Sequence, residues 1–243
     1  MTKNKNLAGV DLAWQSDSNP SAIAIGKLAG NKLTVTAVEG AVTGIDSVYN
    51  CLDSINNLKG IAIDAPLIIT NKSGQRLCEK AIGKEYGSRK ASCHTSNLNL
   101  YPDAKSVYLS KKLEAKGYNH LARDKWQIEC YPHPAIIEIF GLPERLKYKK
   151  GKKTEKVAGQ KQLASMLLQL SNSNLLKLSI SEHLKHYFDP KRTESLRGQA
   201  LKSNEDVLDA ILCLYVAGLY ELGEEGITFG DICSGYVWIP KAN

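Results

Sequence analysis

The sequence predicts an α/β fold: a mixed five-stranded sheet flanked by helices, with a basic insertion between the fourth and fifth strands. Three observations predict it. Strand-like segments follow one another from residue 7 to residue 38 as an antiparallel meander. A helical pattern then leads into a short buried strand, an order that favours a parallel crossover against an earlier strand. A long stretch without a simple period, residues 66–125, separates that strand from the next.

Leu7 to Trp14 is apolar on both faces apart from Asp11, as a central strand should be. Residues 16–20 form a turn cluster, and residues 21–26 read as the second strand. Gly30-Asn31 signals a hairpin, in a turn that looks longer than two residues. Leu33 to Val38 alternates apolar and polar, which marks a half-exposed strand. Ile45, Val48, Tyr49, Leu52 and Ile55 lie at helical spacing, so residues 44–57 form a helix with one apolar face. Ile61 to Asp64 is a short buried strand stopped by Pro66. The insertion holds helical fragments at 75–82 and 105–117. Residues 126–131 form the fifth strand, 134–140 a short helix, 142–151 a mobile basic loop and 155–170 a further helix. Residues 203–222 are apolar nearly all round, so that helix is buried; residues 236–239 close the chain as a short strand. With no internal repeat, the chain reads as one domain, residues 1–243.

Composition narrows the function classes. The 243 residues are 43% hydrophobic and 23% charged, which suits a packed protein and excludes disorder as the dominant state. No apolar run approaches the roughly 20 residues of a membrane span. The polar start of the chain reads as lacking a signal peptide, and six scattered cysteines suggest free thiols, hence a cytoplasmic protein away from membranes. The formal net charge is +7, unevenly spread. Residues 66–125 hold 12 basic and 5 acidic side chains, and residues 141–161 hold 8 and 2, so the remainder is acidic. Two basic segments on an acidic framework suit a polyanionic partner, DNA or RNA, as well as an ordinary solvated surface.

The acidic residues are the strongest functional signal. Asp11 interrupts an apolar strand, Asp64 ends a buried one, and Asp206 and Asp209 share a helix face, with Asp209 inside an apolar run. A buried carboxylate is unfavourable by several kcal/mol without a positive partner. No lysine or arginine stands beside Asp11, Asp64 or Asp209 in the same predicted element. A hard divalent cation, Mg²⁺ or Mn²⁺, is the economical compensation. Carboxylates gathered at strand ends can hold two such ions about 4 Å apart and hydrolyse a phosphodiester. Each residue also has a plainer role. Ser203-x-x-Asp206 fits a helix capping box, and Asp64 before Ala-Pro fits a turn cap. Glu129, ending the fifth strand, is a candidate ligand or general base assisted by His133. Arg76, Arg89, Lys90 and His94 are candidates for phosphate contacts. Tyr86, Tyr101, Tyr108 and Tyr118 are candidates for stacking on bases, core packing being the commoner fate. Cys130-x-x-His133 and Cys93-His94 have zinc-like spacing without a paired Cys-x-x-Cys.

The element order and acid placement resemble the ribonuclease H-like superfamily, and the Asp206-x-x-Asp-Ala ending is similar to that of RuvC-type Holliday junction resolvases. More closely, the chain resembles domain of unknown function 429, described as predicted RNase H-like nucleases. The motifs that carry this are Gly9-Val-Asp-Leu-Ala13, Ile63-Asp-Ala-Pro-Leu67, Arg76-x-Cys78, Glu129-x-Tyr-Pro132 and Asp206-x-x-Asp-Ala210. The resemblance implies a ribonuclease H-like fold and a metal-dependent nuclease with metal held by Asp11, Asp64, Asp206 and Asp209. The chain departs from RuvC resolvases in its insertion and in having Asp64 where they carry glutamate. Two alternatives stand beside this. An actin-like phosphotransferase or ATPase needs small residues after the first-strand aspartate, where this chain has Leu12-Ala-Trp14. A non-catalytic nucleic-acid-binding module needs no intact carboxylates.

Overall fold

The computed structural model describes residues 4–15 and 18–241; the start of the polar N-terminus and part of the turn cluster at 16–20 lie outside these. Strands β1 (Lys5–Asp11), β2 (Pro20–Ala29) and β3 (Lys32–Thr43) form the antiparallel meander. The β2–β3 turn is Gly30-Asn31 alone, tighter than the sequence suggested. Helix α1 (Ile45–Asp53) crosses to β4 (Leu58–Asp64), which pairs parallel with β1. Then follow α2 (Leu77–Tyr86), α3 (Lys105–Ala115), β5 (Asn119–His120), β6 (Trp126–Glu129), α4 (Pro132–Phe140) and α5 (Lys153–Gln169). The chain ends with β7 (Lys177–Ile180), α6 (Pro190–Ser195), α7 (Gly198–Leu222), β8 (Gly226–Asp231) and β9 (Gly235–Pro240).

The fold is α/β, with a mixed sheet of seven strands rather than five, in the order β5-β6-β4-β1-β2-β3-β7. The two additional strands are short and sit at the edges. β5 lies within the segment read as an insertion, and β7 pairs with β3 over Lys32–Val35 only. Strands of two and four residues carry too little periodicity to stand out in a sequence. The closing strand is also half of a separate hairpin, β8–β9. Its Val237 and Ile239 pack with Cys78, Ile82 and Tyr86 of α2, so the partner of that helix lies at the other end of the chain.

Helices cover both faces of the sheet. Ala8 and Val10 of β1 pack toward α1 and α3, where Ile45, Val48, Leu52, Leu109 and Leu113 are buried. Each such side chain contributes about 1.5–3 kcal/mol. The alternate residues Leu7 and Gly9 face α7, the apolar helix predicted from sequence. A Cβ on Gly9 would stand 2.0 Å from the Leu214 amide nitrogen and 2.3 Å from the Ala210 carbonyl oxygen. Only glycine admits that approach. It seats α7 directly on β1, two residues before Asp11 on the same strand face. α7 begins at Gly198, so Ser203 lies inside the helix and the Ser203–Asp206 capping box does not exist.

Candidate functional site

Strand pairing brings two of the acids together. Asp11 and Asp64 are register partners at the carboxyl ends of the parallel strands β1 and β4, the edge where α/β sheets present ligand sites. α7, held against β1 at Gly9, sets Asp206 and Asp209 on the facing side. The Asp11 and Asp206 carboxyls lie close enough to interact. Asp209 is fully buried. Its Oδ1 accepts a 2.7 Å hydrogen bond from the Tyr148 hydroxyl. The four acids predicted from widely separated motifs therefore share one site.

Two lysines that the sequence did not single out complete it. Lys149 Nζ lies 2.7 Å from Asp209 Oδ2 and 3.7 Å from Asp64 Oδ2. It stands off the hydrogen-bonding direction of Asp209 Oδ2, which is left without a hydrogen-bond donor. Lys202, one helical turn before Asp206, pairs with Asp206 and lies 3.1 Å from Glu205. The loop that carries Lys149 is anchored, contrary to the mobile loop expected. Leu146 and Tyr148 are buried. A Cβ on Gly159 of α5 would meet the Lys147 carbonyl oxygen at 1.9 Å, so helix and loop are in backbone contact. The apolar pair Leu146 and Tyr148, two apart within a lysine-rich loop, was the available sign that this loop has an inner side.

The electrostatics follow from five carboxyls, the four aspartates and Glu205, against two ammoniums. Burial raises Asp64 to about 8; Lys149 offsets part of this, while Asp11 and Asp209 add to it. Burial raises Asp11 to about 6, again against Lys149 and with Asp206 adding. Asp206 and Asp209 are also raised by burial, against Lys202 and Lys149 respectively. Burial opposes the charge on Lys149, but Asp209, Tyr148 and Asp64 outweigh it and hold the ammonium well above its usual range.

A hard divalent cation suits this donor set, which is all carboxylate oxygen. Asp209 Oδ2 is buried without a hydrogen-bond donor, and the Lys149 ammonium already stands where positive charge is needed. Among the described residues, no three His, Cys, Asp or Glu side chains are spaced around a common ion position; the present spacing accommodates ammoniums.

A cleft of about 280 Å³ opens onto Asp11, Asp206, Lys202, Gln199 and Trp14. A smaller one, about 110 Å³, is lined by Asp64, Glu129, Cys93, His94 and Tyr131. Trp14 and Gln15 line both. Trp14 meets Tyr101 edge-on at 4.5 Å.

The other candidates separate into those near the acids and those spent on structure. Arg76 does not face solvent. Its Nε donates to Glu79, Nη1 to Glu129 and the Ile68 carbonyl, and Nη2 to Glu129 at 2.6 Å. Glu129 also accepts from the Leu67 amide at 2.9 Å. This buried ion pair, in which Glu129 accepts two hydrogen bonds from Arg76 and one from Leu67, corrects both the phosphate contact expected of Arg76 and the general base expected of Glu129. Arg89 pairs with Glu138 and the Leu142 carbonyl, and Lys90 with Glu144, so both brace the start of the basic loop. His133 is buried between Tyr131 and Tyr148. Burial, with Lys149 and Arg145 nearby, lowers it to about 3, so it stays neutral and is no phosphate-binding cation. His94 is exposed at the smaller cleft. Tyr86 and Tyr118 are buried, whereas Tyr108 is exposed. All six cysteines are free; Cys130 hydrogen-bonds with Cys213 in the core rather than joining His133 in a zinc site. No helix among the described residues is long and apolar enough to cross a membrane.

A family model described as a protein of unknown function, DUF429, matches residues 9–231. No curated protein and no solved structure matches the chain.

Proposed function

The chain belongs to the DUF429 family, and on that premise we propose that it is a metal-dependent nuclease that hydrolyses phosphodiester bonds of DNA or RNA. One observation carries the reading: Asp11 and Asp64, adjacent at the carboxyl ends of β1 and β4, face Asp206 and Asp209 of α7. An arrangement that leaves buried carboxyls under-neutralised is unfavourable to the fold and suggests a use for the charge. The order β6-β4-β1-β2-β3, with three antiparallel strands followed by parallel ones, supports a ribonuclease H-like architecture.

Asp11, Asp64, Asp206 and Asp209 are the residues that would hold Mg²⁺ or Mn²⁺. Bound there, the cation would supply Lewis acidity for activating water and offsetting negative charge on the phosphate oxygens. The chain's own residues do the rest. Tyr148 and Lys149 fix the direction of Asp209. Trp14, between the two clefts, sets a flat wall against which a sugar or base can lie. Exposed Lys147, Lys150 and Lys152 flank Lys149 and attract the backbone. In the net reaction water adds to phosphorus, the bond to the leaving sugar oxygen breaks, and that oxygen ends protonated.

The test is direct. Purified protein is incubated with labelled DNA and RNA in Mg²⁺ or Mn²⁺, beside Asp11→Asn and Asp209→Asn. Cleavage is expected to fall at least about 100-fold in either variant and to stop on chelation. Cleavage that persists in both variants, or no turnover of any nucleic acid with either metal, overturns the reading.

A further inference from the structure

The two ammoniums at the carboxylates are not equivalent. Lys202 reaches Asp206 from the helix surface, with 54% of its side chain exposed, and lines the open cleft. Among the described residues, only Glu205 and Asp206 receive its ammonium in an ion pair. Its ammonium has an open route to solvent through that cleft. Lys149 has 23% of its side chain exposed and sits between Asp209 and Asp64. The backbone leading into it is fixed. Tyr148 is fully buried and bonded to Asp209, and the Lys147 carbonyl rests on Gly159. Moving the Lys149 ammonium out would leave two carboxylates, Asp209 and Asp64, without the cation between them.

We propose that Lys149 is a permanent positive charge taking the place of one of two metal ions, so that the centre binds a single divalent cation, at Asp11 and Asp206, on the cleft side where Lys202 yields. This rests on the metal-dependent reading above and replaces its two-ion form. Asp11 and Asp206 are the pair that opens onto the 280 Å³ cleft. Asp64 and Asp209 are the pair already bridged by a fixed ammonium. Lys149 is thus a positioning residue. It holds Asp64 and Asp209 in place and contributes charge that a second ion would otherwise bring.

The test counts ions and needs no substrate. Chelator-stripped full-length protein is titrated with Mn²⁺, and free Mn²⁺ is followed by its electron paramagnetic resonance signal. One Mn²⁺ per chain is expected in the wild type and two in Lys149→Gln. Lys202→Gln is expected to keep one Mn²⁺ and bind it at least several-fold more tightly. Reductive methylation of the wild type gives a second readout that does not depend on a variant folding. With saturating Mn²⁺, Lys202 becomes reactive and Lys149 stays protected. Two Mn²⁺ in the wild type, no Mn²⁺ at all, or methylation of Lys149 on metal addition overturns the proposal. One bound Mn²⁺ without cleavage of any nucleic acid leaves it standing and removes only the nuclease reading.

Discussion

Single residues in this protein divide by whether their charge is answered within the fold. His133 is the clearest case of a group kept neutral by its surroundings. Unfolded, it titrates near 6.5; buried beside Tyr131 and Tyr148 it is lowered to about 3. Between those values the unfolded chain holds the additional proton. The stability due to neutral His133 is therefore complete above pH 6.5 and is lost as pH falls toward 3. At pH 5 the loss is about 2 kcal/mol. His133→Phe is expected to lose less stability than the wild type between pH 7 and pH 5 in urea unfolding. Identical losses would show that His133 is already protonated in the fold. Sequence reasoning found Asp11, Asp64, Asp206 and Asp209 because a carboxyl inside an apolar run conflicts with its neighbours. It missed Lys149 and Tyr148, since a lysine in a lysine-rich loop carries no local conflict. It placed Arg76 and Glu129 in the chemistry, because nothing in the spacing of residues 76 and 129 reveals that they meet. His94 is the basic candidate of the insertion that lies exposed at the cleft beside Asp64.

Elements are set against one another by two glycine contacts, and each positions part of the site. Gly9 seats α7 on β1, and Gly159 seats α5 under the Lys149 loop. Gly9→Ala is expected to destabilise the whole protein by about 3 kcal/mol, because its Cβ meets backbone that cannot rotate away. Gly159→Ala is expected to act locally. Tryptic cleavage after Lys147 and Lys150 should accelerate while the melting temperature moves less than in Gly9→Ala. Equal thermal shifts in the two variants would contradict the separate roles. The meander, α1, β4 and α7 were legible in the sequence because each carries either one clear period or a sustained apolar run. The edge strands β5 and β7 and the hairpin strand β8 were not. The first two are short, and most of β8 is exposed, so no buried stripe marks it.

For the whole molecule, charge is the organising quantity. The framework is acidic, and one of its two basic segments ends inside the carboxylate cluster through Lys149 while presenting Lys147, Lys150 and Lys152 to solvent. If the proposed function holds, replacing those three exposed lysines by glutamine weakens binding to DNA or RNA. It should also flatten the slope of log K against log salt, by about 0.7–0.9 for each phosphate left without its lysine. An unchanged slope would show that the loop does not touch the polyanion. The charge excess was visible in the sequence, but its division between an inward lysine and outward ones was not, since that depends on how the loop lies on α5. The Arg76 guanidinium joins the stretch after β4, the start of α2 and the end of β6, and does so with two carboxylates and no access to solvent. Replacing any one member strands an opposite charge in the interior, unfavourable by about 3–5 kcal/mol. Drift at these three positions is therefore constrained to concerted change. Arg76, Glu79 and Glu129 would be retained together across descendants for the sake of the fold alone. Invariance there is a signature of architecture and says nothing of chemistry.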